Sequence, residues 1–177
     1  MMSTKTKVWL ITAASLVLIG CILFAGVMTT LGWDFSKLST HKYETNEYEI
    51  SEEFSSISIY TETARVTFVT SDDKKCRVVC YEQENARHAV SVKDGNLVIK
   101  RSDDRKWYDY IGIGFELPKI TVYVPSGEHG ALSVRTSTGD VMIPEDLSFA
   151  SIDISGSTCN VTSYASASGA VKIKLST

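Results

Sequence analysis

The chain has 177 residues, of which 44% are hydrophobic and 22% are charged, and its formal net charge is −3. Residues 1–33 contribute only Lys5 and Lys7 to this charge, so the rest of the chain carries −5. This mild acidity, with no basic stripe along the sequence, argues against a nucleic-acid partner. The length that remains after the first 33 residues suffices for one domain.

The first predicted element is an apolar helix. Val8 to Met28 contains no charged residue, and at about 1.5 Å per residue it can cross a hydrocarbon core of roughly 30 Å. Lys5 and Lys7 precede it and Trp33 follows it, which favours a cytoplasmic tail over residues 1–7. We predict a single-pass anchor in the cytoplasmic membrane over residues 8–28, with the remaining chain outside.

Two other interpretations of this segment remain open. A cleaved signal peptide has an apolar core of about 7–15 residues and a small-residue cleavage site, whereas this run is longer and lacks a clean site. Leu18-Ile-Gly-Cys21 resembles a bacterial lipobox, which would make Cys21 a lipidation site. Residues 22–28 stay apolar, however, where lipoproteins usually become polar, so we favour an uncleaved transmembrane helix.

After the helix, residues 29–47 are interpreted as a stalk, because the sequence from Asp34 onward is polar and aperiodic. Residues 48–177 then alternate apolar with polar side chains and are rich in β-branched residues, as strands are. The alternating sets are Ile57/Ile59, Val66/Phe68, Cys76/Val78/Cys80, Val90/Val92, Leu97/Ile99 and Ile120/Val122/Val124. Asp94-Gly95 can supply the positive φ angles of a type I′ turn, so residues 89–93 and 96–100 should form a hairpin.

Cys76 and Cys80 are predicted to be core residues rather than a disulfide. Four residues of a strand span about 13 Å, and a disulfide allows roughly 7 Å between Cα atoms. Both thiols should therefore point inward beside Val78. Cys159 has no adjacent base.

The longest irregular segment covers residues 101–118 and is unusually aromatic for a loop. We expect a flap over one end or face of the β domain, with a binding surface as the alternative. In the second case the candidate interaction residues are Trp107, Tyr108, Tyr110 and Phe115.

A strand-turn-strand phrase repeats near the C-terminus. The phrase of residues 132–143 recurs about twenty residues later from residue 152, and a third copy begins at residue 171. The aligned positions are Leu132/Ile152, Val134/Ile154, Thr138/Thr158, Gly139/Cys159 and Val141/Val161. A looser copy runs from Ile57 to Val66. A fixed period of this size is typical of a stacked β-solenoid.

Such coils must stack to be stable. One coil buries about five apolar side chains at roughly 2 kcal/mol each, whereas ordering about twenty residues costs roughly 1–2 kcal/mol per residue. The third copy stops within its turn, so we expect either that the domain is truncated at its C-terminus or that its last strand is an open edge that pairs with another chain.

The sequence contains no recognisable catalytic, cofactor or metal motif. His41, His88 and His129 lie in unrelated segments, and none has a Cys, Asp or Glu at metal-ligand spacing. We therefore predict no metal, no cofactor and no catalytic residue. Asp140 and Asp153 are the best candidates for a glycan-hydrolysing carboxylate pair, but ordinary surface positions explain both.

Several phrases resemble one bacterial family. They are Gly32-Trp-Asp-Phe-Ser-Lys-Leu38, Ile57-Ser-Ile59 with Thr61 and Thr63, Lys106-Trp-Tyr-Asp-Tyr-Ile111, and the Ser-Thr-Gly-Asp repeats. They resemble the DUF4097 family of adhesin-like proteins, which includes LiaG-like envelope proteins. The resemblance implies an all-β fold, a single-stranded right-handed β-helix of about 20-residue coils that follows one transmembrane helix and lies outside the membrane.

No binding residue follows from this resemblance. We expect a non-enzymatic, membrane-anchored adhesin module of the cell envelope that contacts an envelope protein or a wall component. An accessory or sensor protein of an envelope-stress response is the alternative, and a glycan-processing β-helix enzyme is the weaker one.

Overall fold

The computed structural model describes residues 3–73, 75–102, 114 and 116–176. The chain divides into two compact units, one built on the N-terminal helix and one containing the strands.

The first unit is built on α1 (Thr4–Thr30), followed by a short 3₁₀-helix (Phe35–Leu38). Ser3 caps the helix, since its Oγ accepts a hydrogen bond from the Thr6 backbone N–H at 3.3 Å. The helix ends where Gly32 and Trp33 adopt positive φ angles of 67° and 59°. Large apolar side chains are exposed around its surface, among them Trp9 at 75% and Leu16 at 65%. A helix that is apolar all round suits a membrane interior, and α1 is long and apolar enough to cross one.

The second unit consists of strands. Their bounds are β1 Tyr43–Ile50, β2 Ser56–Tyr60, β3 Arg65–Ser71, β4 Cys76–Gln83, β5 His88–Lys93, β6 Asn96–Arg101, β7 Lys119–Pro125, β8 Gly127–Thr138, β9 Val141–Ile143, β10 Leu147–Thr158, β11 Val161–Ser163, β12 Ser166–Ala167 and β13 Val171–Leu175.

The strands form two sheets. Sheet A has the order β1-β4-β7-β3-β9-β11, and sheet B has the order β12-β10-β8-β2-β6-β5, with β13 also pairing with β10. Apolar side chains from both sheets form the core, where the rings of Phe68 and Phe149 meet edge to face with centroids 6.3 Å apart. Cys76 and Cys80 are buried in this core, as their alternation with Val78 predicted.

The predicted repeat is confirmed as a stacking register. β10 lies parallel to β8 with Ile152 opposite Leu132 and Ile154 opposite Val134, and β11 lies parallel to β9 with Val161 opposite Val141. The looser upstream copy stacks on the same coil, although it is far away in sequence. The pairs on that side are Ile57↔Leu132, Ile59↔Val134, Thr63↔Thr138 and Val66↔Val141.

Stacked parallel coils do not describe the whole β domain, so the expected single β-helix holds only in part. β4 runs antiparallel to both β1 and β7, and β5 runs antiparallel to β6. The reason at β5 and β6 is the tight turn: Asp94 and Gly95 have φ angles of 50° and 71° and return the chain directly alongside itself. The predicted hairpin is thus confirmed, and the domain is mostly β with mixed sheets.

The β domain also begins earlier than the interpreted stalk of residues 29–47 suggests. β1 starts at Tyr43 and pairs with β4 over eight positions. Its less exposed side includes the polar residues Glu44 and Asn46 as well as Tyr48 and Ile50. Polar residues on that side hide the apolar alternation by which the other strands are recognised.

Gly139 closes the turn between β8 and β9 in a way that requires glycine. Its φ angle is 131°, and a Cβ atom at this position would lie 2.1 Å from the Ala64 backbone oxygen of the neighbouring coil. We therefore expect Gly139→Ala to lower the free energy of unfolding by about 3 kcal/mol or more, because backbone strain of about 1–3 kcal/mol adds to the steric clash.

Gly95→Ala is the matched control. Gly95 also has a positive φ angle, but a Cβ atom there would meet open space, so we expect a loss of about 1–2 kcal/mol from the left-handed backbone alone. Pulse proteolysis of the detergent-solubilised full chain in urea measures both losses. Equal losses would show that the close approach at Gly139 is unimportant.

Candidate functional site

The four predicted interaction residues, Trp107, Tyr108, Tyr110 and Phe115, lie outside the described residues. Their role as a binding surface stays a prediction. Among the described residues, three other regions contain groups that could bind or act on a ligand. They are a buried polar network, a mixed-charge cleft and two adjoining basic grooves on sheet B.

The buried network joins the end of β4 to the start of β5. Glu82 is fully buried and His88 is 4% exposed. The Glu82 Oε2 atom accepts a hydrogen bond from the His88 backbone N–H at 2.7 Å and lies 2.6 Å from His88 Nδ1. Asn46 Nδ2 donates to Glu82 Oε1 at 2.9 Å. The carboxylate is therefore satisfied on both oxygens, as a buried charge requires.

The opposite side of the histidine ring reaches Thr61, the residue that follows β2. His88 Nε2 lies 3.1 Å from the hydroxyl of Thr61, which is 8% exposed. Tyr48 donates its hydroxyl proton to the His88 backbone oxygen at 3.1 Å. With Nδ1–H turned toward the carboxylate, Nε2 accepts from Thr61. The network thus links β1, β2, β4 and β5 across both sheets.

Sequence spacing did not reveal this cluster, because no Cys, Asp or Glu lies at a usual metal-ligand spacing from His88. Ligand atoms of Cys80, Glu82 and His88 lie within 4.8 Å of one another. His88 is six residues from Glu82, a separation outside the usual ligand spacings, and only the turn between β4 and β5 brings the two together. Alternation places Glu82 on the inward side with Val78 and Cys80, and His88 on the side of Val90, but it does not show that the two side chains meet.

The cluster suits a hydrogen-bonded strut better than a metal centre. Two ligands of one tetrahedral zinc ion lie about 3.3 Å apart, whereas Nδ1 and Oε2 are 2.6 Å apart. Burial raises the pKa of the Cys80 thiol to about 12, and the nearby Glu82 carboxylate adds to this shift. A thiol with this pKa stays protonated at neutral pH and is a poor ligand.

Thr61, His88 and Glu82 also have the order of a nucleophile, a base and an orienting carboxylate. All three residues are less than a tenth exposed, and the Thr61 backbone N–H donates to the Arg135 oxygen at 2.9 Å. That amide is therefore engaged and cannot stabilise an oxyanion. We interpret the network as a structural support.

We expect His88→Ala to lower the free energy of unfolding by about 1.5–3 kcal/mol, because it leaves the buried Glu82 carboxylate without the imidazole N–H that donates to it. Arg87→Ala is the matched control. Arg87 pairs with Glu44 at the surface, with its side chain 54% exposed, so this loss should be much smaller, because solvent screens a surface ion pair. Urea unfolding followed by proteolysis measures both variants, and similar losses would contradict the role given to the network.

The buried thiols give a second test of the core. Burial raises the pKa of Cys76 to about 12, as it does for Cys80. In a Cys21→Ser, Cys159→Ser variant these are the remaining cysteines, and we expect no reaction with a thiol reagent at pH 8 because thiolate is scarce and access is closed. Both should react after unfolding in urea. Rapid reaction in the folded state would contradict their placement.

A cleft of about 670 Å³ opens where β1, β3 and β4 begin or end. Its lining residues are Glu49, Ile50, Ser51, Glu52, Glu53, Phe54, Ser71, Asp73, Lys75, Cys76, Arg77, Pro125 and His129. Hydrogen bonds from Ser71 and from the Lys75 backbone lower the pKa of Asp73. The cleft mixes both charges, and Arg77 is already paired with Glu47 at 3.0 Å.

Two shallow grooves on sheet B meet at Thr61 and Arg135. Their volumes are about 330 and 230 Å³. Basic and hydroxyl side chains dominate their lining, which comprises Tyr60, Thr61, Glu62, Lys100, Arg101, Arg135, Thr136, Ser137, Ser155, Gly156, Ser157, Lys174 and Ser176. Glu62 is the acidic member, and it pairs with Arg101. This surface can attract an anionic ligand.

The carboxylates considered for glycan hydrolysis are placed apart in the fold. Asp140 precedes β9 of sheet A, pairs with Arg65 at 3.5 Å and accepts a hydrogen bond from Asn160 at 3.0 Å. Asp153 is exposed in the middle of β10 of sheet B, opposite Lys172 of β13. Both therefore occupy surface positions with basic or amide neighbours.

The sequence profile of the Toastrack DUF4097 family matches residues 54–176. None of the curated proteins matches the chain. Among solved structures, a putative adhesin from Bacteroides fragilis is 13% identical, with 76% of this chain and 94% of that chain covered and a TM-score of 0.36. A putative cell adhesion protein from Clostridium sporogenes is 10% identical, with 76% and 100% covered and a TM-score of 0.39. A putative lipid binding protein from Parabacteroides distasonis is 16% identical, with 77% and 61% covered and a TM-score of 0.41.

Proposed function

Because the chain belongs to the Toastrack DUF4097 family, we propose that it is a non-enzymatic interaction module of the bacterial cell envelope, held at the outer side of the cytoplasmic membrane. The observation that carries this proposal is the joining of one long apolar helix to a mostly β domain whose sheet surface is open to solvent.

The membrane anchor rests on the exposed surface of α1. None of its most apolar 18-residue stretch is buried within the structure. The helix has 27 residues and is about 40 Å long at 1.5 Å per residue. Side chains as large as Leu23 and Phe24 are half exposed or more. Water solvates such a surface poorly, and a bilayer interior covers it.

The proposed layout follows from this anchor. Residues 1–7 form the cytoplasmic tail, residues 8–28 cross the membrane, and a linker leads to β1 at Tyr43. We propose further that the parallel coils wind in the right-handed sense, which the twist of strands favours for crossover connections between parallel strands.

An interaction role also suits the chemistry of the described residues. The thiols of Cys76 and Cys80 are buried in the core, and the polar network around His88 is satisfied internally. What the surface offers instead is a sheet face with basic, aromatic and hydroxyl side chains. Such a face binds a ligand without changing it.

Protease shaving of intact cells tests the topology. We expect an added protease to digest the segment after Asp34 while a cytoplasmic marker protein stays intact, because the exposed turns lie outside. Protection of the segment until the cells are lysed would place the β domain in the cytoplasm and would overturn the proposal. A membrane fraction that loses the protein on a high-salt wash would contradict the helical anchor.

A further inference from the structure

The strand register of sheet B places three basic residues in one line. Lys100 of β6 lies opposite Tyr60 of β2, and Tyr60 lies opposite Arg135 of β8. Arg135 lies opposite Ser155 of β10, and Ser155 lies opposite Lys174 of β13. These five residues, one from each of five neighbouring strands, form what we call the basic row.

The row faces outward along its whole length. The residues that precede four of its members, Ile99, Ile59, Val134 and Ile154, are fully buried. Successive side chains of a strand point to opposite faces, so the row lies on the solvent side. Neighbouring strands are about 4.8 Å apart, so the three cations follow one another at about 10 Å and the row spans about 19 Å.

Tyr60 contributes an aromatic surface between two of these cations. Its side chain is 39% exposed, and the Arg135 guanidinium lies 5.7 Å from the centre of its ring. Hydroxyl groups of Ser137, Ser155 and Ser157 line the groove beside Arg135. An exposed ring flanked by cations and hydroxyl groups offers stacking, charge pairing and hydrogen bonding at once.

Two acidic residues near the row have basic neighbours of their own. Glu62, with its side chain 61% exposed, pairs with Arg101. Asp153 lies one row away, opposite Lys172. The row is therefore a basic line on a portion of the chain that is acidic as a whole, with a charge of −5 from residue 34 onward.

We propose that the basic row binds an anionic polysaccharide that lies across the strands of sheet B. The carboxylate or phosphate groups of the polysaccharide pair with Lys100, Arg135 and Lys174, and one of its sugar rings stacks on Tyr60. This inference rests on the proposed interaction role and names its ligand class. Single-file cations with an aromatic ring between them fit a linear polymer, whereas a flat membrane surface needs no such line.

Polygalacturonate, an unbranched polymer with a carboxylate on each sugar, is a suitable probe, and dextran is the neutral reference. The full chain in neutral nanodiscs should bind polygalacturonate and not dextran. A Lys100→Ala, Arg135→Ala, Lys174→Ala variant should bind at least tenfold more weakly. The matched control is Lys42→Ala, Lys75→Ala, Lys93→Ala, which removes the same charge from exposed positions away from the row and should bind within twofold of the unaltered chain.

Tyr60→Leu separates stacking from charge. We expect weaker binding with an unchanged salt dependence, since the cations that make affinity salt-dependent remain.

Equal losses of affinity in the two triple variants would overturn the proposal, because the binding would then depend on total charge. Binding to anionic lipid vesicles or to duplex DNA but not to polygalacturonate would also overturn it. The two proposals can fail separately. Loss of polysaccharide binding would not change the result of protease shaving. Protection from the protease would place the β domain inside the cell, but the basic row could still bind the polymer in vitro.

Discussion

The parallel register in which Ile57, Leu132 and Ile152 lie opposite one another is the constraint on which the β domain depends. In a single coil, the free energy gained by burying its apolar side chains is smaller than the entropy cost of ordering its residues. Adjacent coils must therefore supply the rest of the interior. A slip by one residue would turn every inward side chain to the solvent. The same register that builds the core therefore also determines which residues meet on the outer face.

This coupling explains which features the sequence could predict. The repeat at residues 132–161 and the Asp94-Gly95 hairpin were predicted correctly because both depend on residues close together in the chain. The antiparallel placement of β1 and β4 was not predicted, since Asn46 puts a polar group on the less exposed side of β1. Likewise, Lys100, Tyr60 and Arg135 are far apart in sequence, so their line becomes visible only when the long-range pairing of β2 with β6 and β8 is known.

The buried network of Glu82 and His88 could not be predicted from the sequence pattern. A polar residue on an inward position reads as a break in alternation, yet Glu82 and His88 occupy such positions because they satisfy each other there. A buried carboxylate is costly without partners, and this one has a backbone donor, an imidazole and the Asn46 amide. The network lies at the junction of the antiparallel strands with the stacked coils, where β1, β2, β4 and β5 cannot share one repeating apolar pattern.

The two faces of sheet B are subject to different demands, although one register sets both. Inward positions such as Val134 and Ile154 must remain apolar for neighbouring coils to stack, whereas outward positions such as Arg135 and Ser155 need only tolerate solvent. Changes on the outer face therefore cost little stability, and the rigid sheet still holds their side chains about 4.8 Å apart from strand to strand. A fold built this way can present different lines of side chains without changing its core, which is a property that a surface-binding module requires and that an enzyme with convergent catalytic groups does not need.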